Sequence, residues 1–240
     1  MTYCVGLLLN EGMVMLSDTR TNAGLDNIST YRKMFFFEEP GERVIVILTA
    51  GSLSVTQTTI ARLKDAIRAP DASEETSILK APTMLKVAHI IGDMLAKVRI
   101  EVDEKMSQGQ GVNASMILGG QRRGGDMRLF LIYPEGNFIE ATEDTPFLQI
   151  GEHKYGKPIL DRVMTRATSL EDGQKAVLLS MDSTLRSNLS VGMPLDLCVI
   201  EKDACKVTMR RRIEAGDERF RAMSEAWSGA LREGFSQIRL

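Results

Sequence analysis

Thr2-Tyr3-Cys4-Val5-Gly6-Leu7-Leu8-Leu9, Asn10-Glu11-Gly12 and Met13-Val14-Met15-Leu16-Ser17-Asp18 make up the stretch on which the fold turns. Two short apolar runs flank a turn signal, which reads as a β-hairpin. The polar stretch that follows, residues 17–31, reads as a loop. Residues 33–37 and 43–48 then flank Glu38-Glu39-Pro40-Gly41-Glu42 as a second hairpin. Both of its strands are continuously apolar, as expected for a sheet covered on both faces. At Thr49-Ala50-Gly51-Ser52 the pattern changes. Ser52 or Ser54 can cap a helix running to about residue 67, with Ile60, Leu63 and Ile67 on one face. Residues 82–106 read as a long helix with Leu85, Ala88, Ile91, Leu95 and Val98 at helical spacing. Strands return over 114–118, 127–133 and 137–140. Two more helices follow over 155–164 and 170–181, then a hairpin of 195–200 with 206–211. A charged amphipathic segment, 215–231, comes last.

The order is strands, two helices, strands, two helices, strands. Each helix pair has an apolar stripe to bury, and the economical packing is two stacked sheets with a helix layer outside each. The fold class expected is α+β, a four-layer αββα sandwich with mainly antiparallel sheets. There is no internal repeat and no Pro/Gly/Ser-rich linker, so one domain is expected over 1–212, with a C-terminal helical extension over 213–240. A chain of 240 residues buries enough surface to dispense with disulfides or a structural metal. Its net charge of −2 lacks the electrostatic footprint of a general nucleic-acid binder. No apolar run approaches the ~20 residues of a membrane helix, and the first residues lack the marks of a secretory signal. Three scattered cysteines (Cys4, Cys198, Cys205) suit a reducing, cytoplasmic setting. Two histidines and no CxxC pair leave little for a zinc site, and neither a metal nor a cofactor is expected.

Four residues could carry chemistry. Thr2 has a small side chain that lets methionine aminopeptidase expose it as the first residue. A free N-terminal threonine holds nucleophile and base together, because its α-amine can take the hydroxyl proton. A small second residue is common, and alone it means little. Asp18 ends the second strand and Lys33 begins the third. With strands one to three as neighbours, both could sit beside Thr2. A lysine ammonium there disfavours the protonated amine, and the aspartate satisfies the lysine. An ordinary salt bridge at a sheet end, or two unrelated surface charges, is the simpler reading of that pair. Gly51 lies where an apolar strand runs into a helix, so a substrate could approach its backbone and its N–H could face an oxyanion. A turn glycine before a capped helix would look the same.

Taken together, TYCVGLLLNEGMVMLSDTR, YRKMFFF and VILTAGSLSVTQ resemble the N-terminal half of a proteasome β-type subunit. MILGGQRRGGDMRLFLIYPEGNF and QIGEHKYGKPIL are similar to the family's later paired strands and third helix, so the likeness covers about residues 2–200. A threonine directly after the initiator methionine, implying no propeptide, together with MDSTLRSNLSVGMPLDL, looks most like the bacterial ancestral β-subunit group, Anbu. The resemblance implies the N-terminal-nucleophile (Ntn) hydrolase fold, hydrolysis of peptide bonds through a threonyl ester, and a homo-oligomer built as a ring or open spiral. It implies Thr2 as nucleophile, Lys33 as the cation lowering the amine's pKa, Asp18 as its partner and Gly51 N–H as the oxyanion donor. The family's specificity-pocket positions fall on Thr21, Tyr31 and Thr49. Peptides or unfolded proteins are the implied substrates. The chain has no ATP-binding motif, so any ATPase is a separate partner.

One motif departs from the family. An Asp followed three residues later by Ser-Gly usually supports the threonine amine. Here Asp182 is followed by Ser183-Thr184-Leu185-Arg186-Ser187, and Ser-x-Gly comes only at Ser190-Val191-Gly192. Asp182 is carried over, and the serine that works with it is left open. Such an altered surrounding could leave the site dormant, and the same fold could also serve a small-molecule amidase. The segment 215–231 sets Phe220, Met223, Trp227 and Leu231 on one side, which suits a subunit contact. Gly119-Gly120-Gln121-Arg122-Arg123-Gly124-Gly125 lacks Gly-Lys-Ser/Thr and reads as a hairpin, not a phosphate loop.

Overall fold

β1 (Tyr3–Leu9) and β2 (Gly12–Asp18) pair antiparallel from Leu9↔Gly12 to Cys4↔Ser17. The computed structural model describes residues 1–22, 28–106 and 112–239. After β2 come β3 (Arg20–Asn22), β4 (Ile28–Thr30), β5 (Met34–Glu39), β6 (Arg43–Gly51), α1 (Leu53–Arg68) and α2 (Met84–Asp103). Next are β7 (Ala114–Arg122), β8 (Arg128–Ile132), β9 (Phe138–Glu140) and β10 (Phe147–Gly151). A short 3-10 turn, His153–Tyr155, leads to α3 (Lys157–Val163) and α4 (Leu170–Ser187), then β11 (Leu195–Glu201), β12 (Met209–Ile213) and α5 (Glu218–Gln237). One five-stranded sheet runs β10-β1-β2-β11-β12 and the other β5-β6-β7-β8-β9, every pair antiparallel.

The period of two along each strand builds three apolar layers. Tyr3, Val5, Leu7 and Leu9 of β1, with Val14 and Leu16 of β2, face Leu160, Ala176, Val177 and Met181 of α3 and α4. Cys4, Leu8, Met13 and Met15 face the other way, against Val44, Val46 and Leu48 of β6 and Ile117 and Leu129 beyond it. Ile45 and Ile47 then face Val55, Ile60 and Leu63 of α1 and Val87, Ile91 and Leu95 of α2. The molecule is therefore the four-layer αββα sandwich. Strands with two buried faces have no polar side, which explains the unbroken apolar runs. The sheets approach closely at Gly119, where a Cβ would lie 2.3 Å from the sulfur of Met13.

Several boundaries differ from the sequence reading. The expected loop at 17–31 contains the end of β2 and the small hairpin of β3 with β4, while residues 23–27 lie outside the described residues. Both strands are three residues long and, apart from Ile28, polar, too short for a periodicity signal. β10 was not anticipated, because Phe147-Leu148-Gln149-Ile150-Gly151 follows a turn-rich stretch that hides it. Its pairing with β1 makes β1 an interior strand. Leu85 is exposed, because the buried stripe of α2 runs through Met84, Val87, Ile91, Leu95 and Val98. α4 continues six residues past the expected end at 181, which places Asp182 inside a helix. The last hairpin strand begins at Met209, not 206, and the expected boundary at 212/213 falls just before its final residue, Ile213. The glycine-rich stretch at 119–125 joins β7 to β8, as a hairpin should.

Candidate active site

β1 sets Thr2 at the open end of the sandwich, because the strand begins one residue later. Tyr3 lies opposite Gly151 on β10, and the Thr2 carbonyl accepts from Glu152 N–H at 2.7 Å. Gly151 has φ +82°, and a Cβ there would fall 1.8 Å from the Thr2 oxygen. Only glycine allows this closeness, so β10 presses directly on the residue before β1. Tyr3 N–H donates to Asp18 Oδ1 at 3.1 Å, which places the end of β2 beside the start of β1.

Lys33 comes from the opposite sheet, one residue before β5. Its Nζ donates to Asp18 Oδ1 at 2.7 Å and to the Arg20 carbonyl at 2.6 Å. Its own carbonyl accepts from Thr49 N–H at 2.9 Å. β6 then delivers Gly51, whose φ of +101° turns the chain into α1. Ser52 occupies the cap position of that helix, yet its hydroxyl bonds to Ser54 and not to the helix backbone. A cleft of about 460 Å³ results, with Met1, Thr2, Thr21, Lys33, Thr49 and Gly51 among its walls. Thr2 is 9% exposed while Met1 is 59% exposed and stands in the cleft.

Asp18 is fully buried and accepts three donors: the Lys33 ammonium, Tyr3 N–H and Gly192 N–H at 3.3 Å. Burial raises its carboxyl pKa, opposed by the Lys33 charge and these hydrogen bonds. The thiols offer no rival nucleophile. Cys4 and Cys198 are fully buried, and burial pushes both up, Cys198 to about 12. Tyr3 is also pushed up by burial, to about 12, and its hydroxyl is held by Ser180 and Gln149, both at 2.6 Å.

Thr2, Lys33, Gly51, Thr21 and Thr49 thus meet in one cleft, with Asp18 beneath the lysine. Tyr31 is 40% exposed and is not among the cleft walls. Asp182 lies elsewhere too. Its Oδ1 accepts from Ser224 Oγ at 2.7 Å and its Oδ2 from Arg186 Nε at 3.2 Å, in a hollow of about 430 Å³ between α4, α5 and the 189–193 segment. Of Ser190-Val191-Gly192, it is Gly192 that reaches the site, through its amide on Asp18. Gly151 and Arg20 are not singled out in the sequence reading, and Gly192 enters it only as the glycine of Ser-x-Gly. A glycine carries no signal of the backbone it will touch, whether it ends a strand as Gly151 does or lies in a turn as Gly192 does, and Arg20 acts through its carbonyl, which any residue possesses.

The proteasome subunit family model matches residues 2–200. A proteasome subunit beta of Haloquadratum walsbyi (strain DSM 16790 / HBSQ001) is 23% identical over 214 residues, covering 89% of this chain and 79% of that protein. Among solved structures, an Anbu (Gly-1) mutant from Hyphomicrobium sp. strain MC1 matches with 50% identity and a TM-score of 0.94, over 100% of this chain and 99% of that one. Anbu (ancestral beta-subunit) from Yersinia bercovieri matches with 43% identity and a TM-score of 0.92, over 100% and 98%. A structure described as the helical assembly of the Anbu complex from Pseudomonas aeruginosa matches with 42% identity and a TM-score of 0.93, again over 100% and 98%.

Proposed function

The chain belongs to the proteasome subunit family, and from that premise we propose that it is an N-terminal threonine peptidase. The observation that carries this reading is the convergence of Thr2, Lys33 and Gly51 on one cleft with Asp18 buried under the lysine. Removal of Met1 clears the cleft and leaves the α-amine on Thr2. The amine takes the proton from Thr2 Oγ as the oxygen attacks a peptide carbonyl. The negative charge that develops on the carbonyl oxygen meets the Gly51 N–H. Collapse breaks the C–N bond, the leaving amine takes the proton, and the acyl group remains as a threonyl ester. Water, activated by the same amine, hydrolyses the ester and restores the threonine. The Lys33 ammonium keeps the nearby amine unprotonated near neutral pH, and Asp18 holds that lysine in place.

Peptides or unfolded proteins are the substrates in this reading, and the working form is an assembly of identical subunits in the cytoplasm. The helical assembly described for the Pseudomonas aeruginosa relative supports such an oligomer. So do the exposed apolar side chains at the end of α5 and just past it, Leu231 at 53%, Phe235 at 80% and Ile238 at 74%. The C-terminal extension over 213–240 is proposed as a subunit contact on that ground, and any ATPase is a separate chain. A second reading, a silent shell subunit, is favoured by Asp182 turning away from the cleft toward Ser224.

Intact mass spectrometry before and after a peptide epoxyketone separates the two. The reagent needs a hydroxyl and a free α-amine on one N-terminal residue. Loss of Met1 and one adduct that vanishes in Thr2→Ala is the expected result. A processed chain that takes no adduct would leave the shell subunit.

A further inference from the structure

The serine beside Asp182 comes from the C-terminal helix, beyond the 2–200 span that matches the family. Ser224 is the one residue of α5 that is buried. Its hydroxyl donates to Asp182 Oδ1 at 2.7 Å and receives Arg186 Nη2 at 2.7 Å, while Arg186 Nε closes on Asp182 Oδ2. Apolar contact holds α5 in part, through half-buried Phe220 on the core and Trp227, which shares a hollow with Ile159, Val163 and Leu179. The start of the helix is pinned by Asp217, which caps Phe220 N–H and accepts Arg211 Nη2 at 2.7 Å.

From the end of α4 the chain turns through residues 188–193 and reaches the Asp18–Lys33 pair by three contacts. Gly192 N–H donates to Asp18 Oδ2. The Gly192 carbonyl accepts from Thr19 N–H at 3.4 Å. The Leu189 carbonyl accepts from Arg20 Nη1 at 2.9 Å, and the Arg20 carbonyl is the second acceptor of Lys33 Nζ. The Arg20 guanidinium rests on Gly192 itself, where a Cβ would lie 2.2 Å from Nε. Arg20, Asp182, Gly192 and Ser224 line the same hollow, and Gly192 is the residue whose amide reaches Asp18.

We propose that Ser224 is a positioning residue: by tying α5 to Asp182 it holds the 188–193 segment against Asp18 and Arg20, and so sets where the Lys33 ammonium sits. The proposal rests on the threonine-peptidase reading for its effect on rate, but not for its effect on the segment. Ser224 touches neither substrate nor the reacting atoms. Without its hydroxyl, Arg186 and Asp182 lose their shared partner and the segment loosens. Gly192 N–H then leaves Asp18, which loses a hydrogen bond favouring its charged form. The charged or titratable groups facing Asp18 are Lys33 and the Cys4 thiol, and the variant leaves both in place.

The test uses the full chain with Met1 removed and compares wild type, Ser224→Ala, Ser224→Thr and Ser228→Ala. Ser228, one turn along α5, bonds only to the Ser224 carbonyl and controls for general loosening of the helix. Two readouts are taken: amide hydrogen exchange of peptides spanning Gly192, and the rate at which a peptide epoxyketone labels Thr2, against reagent concentration and pH. In Ser224→Ala, exchange at Gly192 is expected to quicken about tenfold. The maximal labelling rate falls about tenfold with little change in the half-saturating concentration, and its acid limb moves to higher pH. Ser224→Thr keeps the hydroxyl and recovers most of both, and Ser228→Ala matches wild type. Unchanged exchange and labelling in Ser224→Ala, or an equal loss in Ser228→Ala, overturns the proposal. If wild type takes no label, the peptidase reading fails, and exchange at Gly192 alone decides whether Ser224 holds the segment.

Discussion

Asp18 and Asp182 are both buried aspartates with a basic partner, and they sit in opposite situations. The Asp18 side chain is 0% exposed and that of Lys33 6%, so the pair is fully desolvated and boxed in by backbone N–H groups. The Asp182 side chain is 6% exposed, but that of its Arg186 is 56% exposed, and its neutral partner is the Ser224 hydroxyl of α5. Charge removed from water must be matched atom for atom, and such a pair has one stable geometry. Water screens a half-exposed pair and replaces its bonds at low cost. The difference separates a rigid centre from an adjustable bracket behind it.

The largest effect should come from breaking the desolvated pair. Lys33→Met strands the Asp18 charge and is expected to cost about 3–5 kcal/mol in urea unfolding. It should also lower labelling of Thr2 by about 10²–10⁴-fold. A loss no greater than that of an exposed ion pair would remove the contrast.

Next is pH. Burial raises the Asp18 pKa, so labelling should fall, as pH drops, around a midpoint above the ~3.9 of an ordinary aspartate. Protonation there takes away the partner of Lys33. The stability sign runs the other way: ionising Asp18 costs the folded state, so this group's contribution declines as pH rises from the unfolded value through the folded one and is flat above it. Calorimetry of Asp18→Asn against wild type across that window checks the sign.

Asp182→Ala should be milder, about 1–3 kcal/mol, because it leaves the buried Ser224 hydroxyl without its acceptor. Denaturant midpoints at constant slope measure it. Arg186→Ala, at the exposed end of the same network, should stay within about 1 kcal/mol and weaken further as salt is raised. If Arg186→Ala matched Lys33→Met, the bracket would be as rigid as the centre.

Residue order made the sandwich the economical packing, and the family resemblance implied the same fold. The unbroken apolar runs of β5 and β6 suit a sheet covered on both faces, and helices in pairs after strands supply the covers. Thr2, Asp18, Lys33 and Gly51 were legible for a related reason. Each stands at an end of a strong strand, where neighbouring strands could bring them together, and the resemblance to proteasome β-type subunits supplied their roles. β10 stayed hidden because an edge strand of five residues has little pattern of its own. Its glycine matters only through the carbonyl of Thr2 that it touches.

The place of Asp182 lay beyond such reading. The sequence reading ends its helix at 181, one residue short of it, and which group meets a side chain on the last turns of α4 depends on how α5 folds back across them. Ser224 is 42 residues away in the chain. Local pattern specifies elements because backbone geometry repeats every two or 3.6 residues. A hydrogen bond between distant polar side chains has no period. It exists only once the packed layers bring the two atoms within reach and burial makes leaving either one unpaired costly.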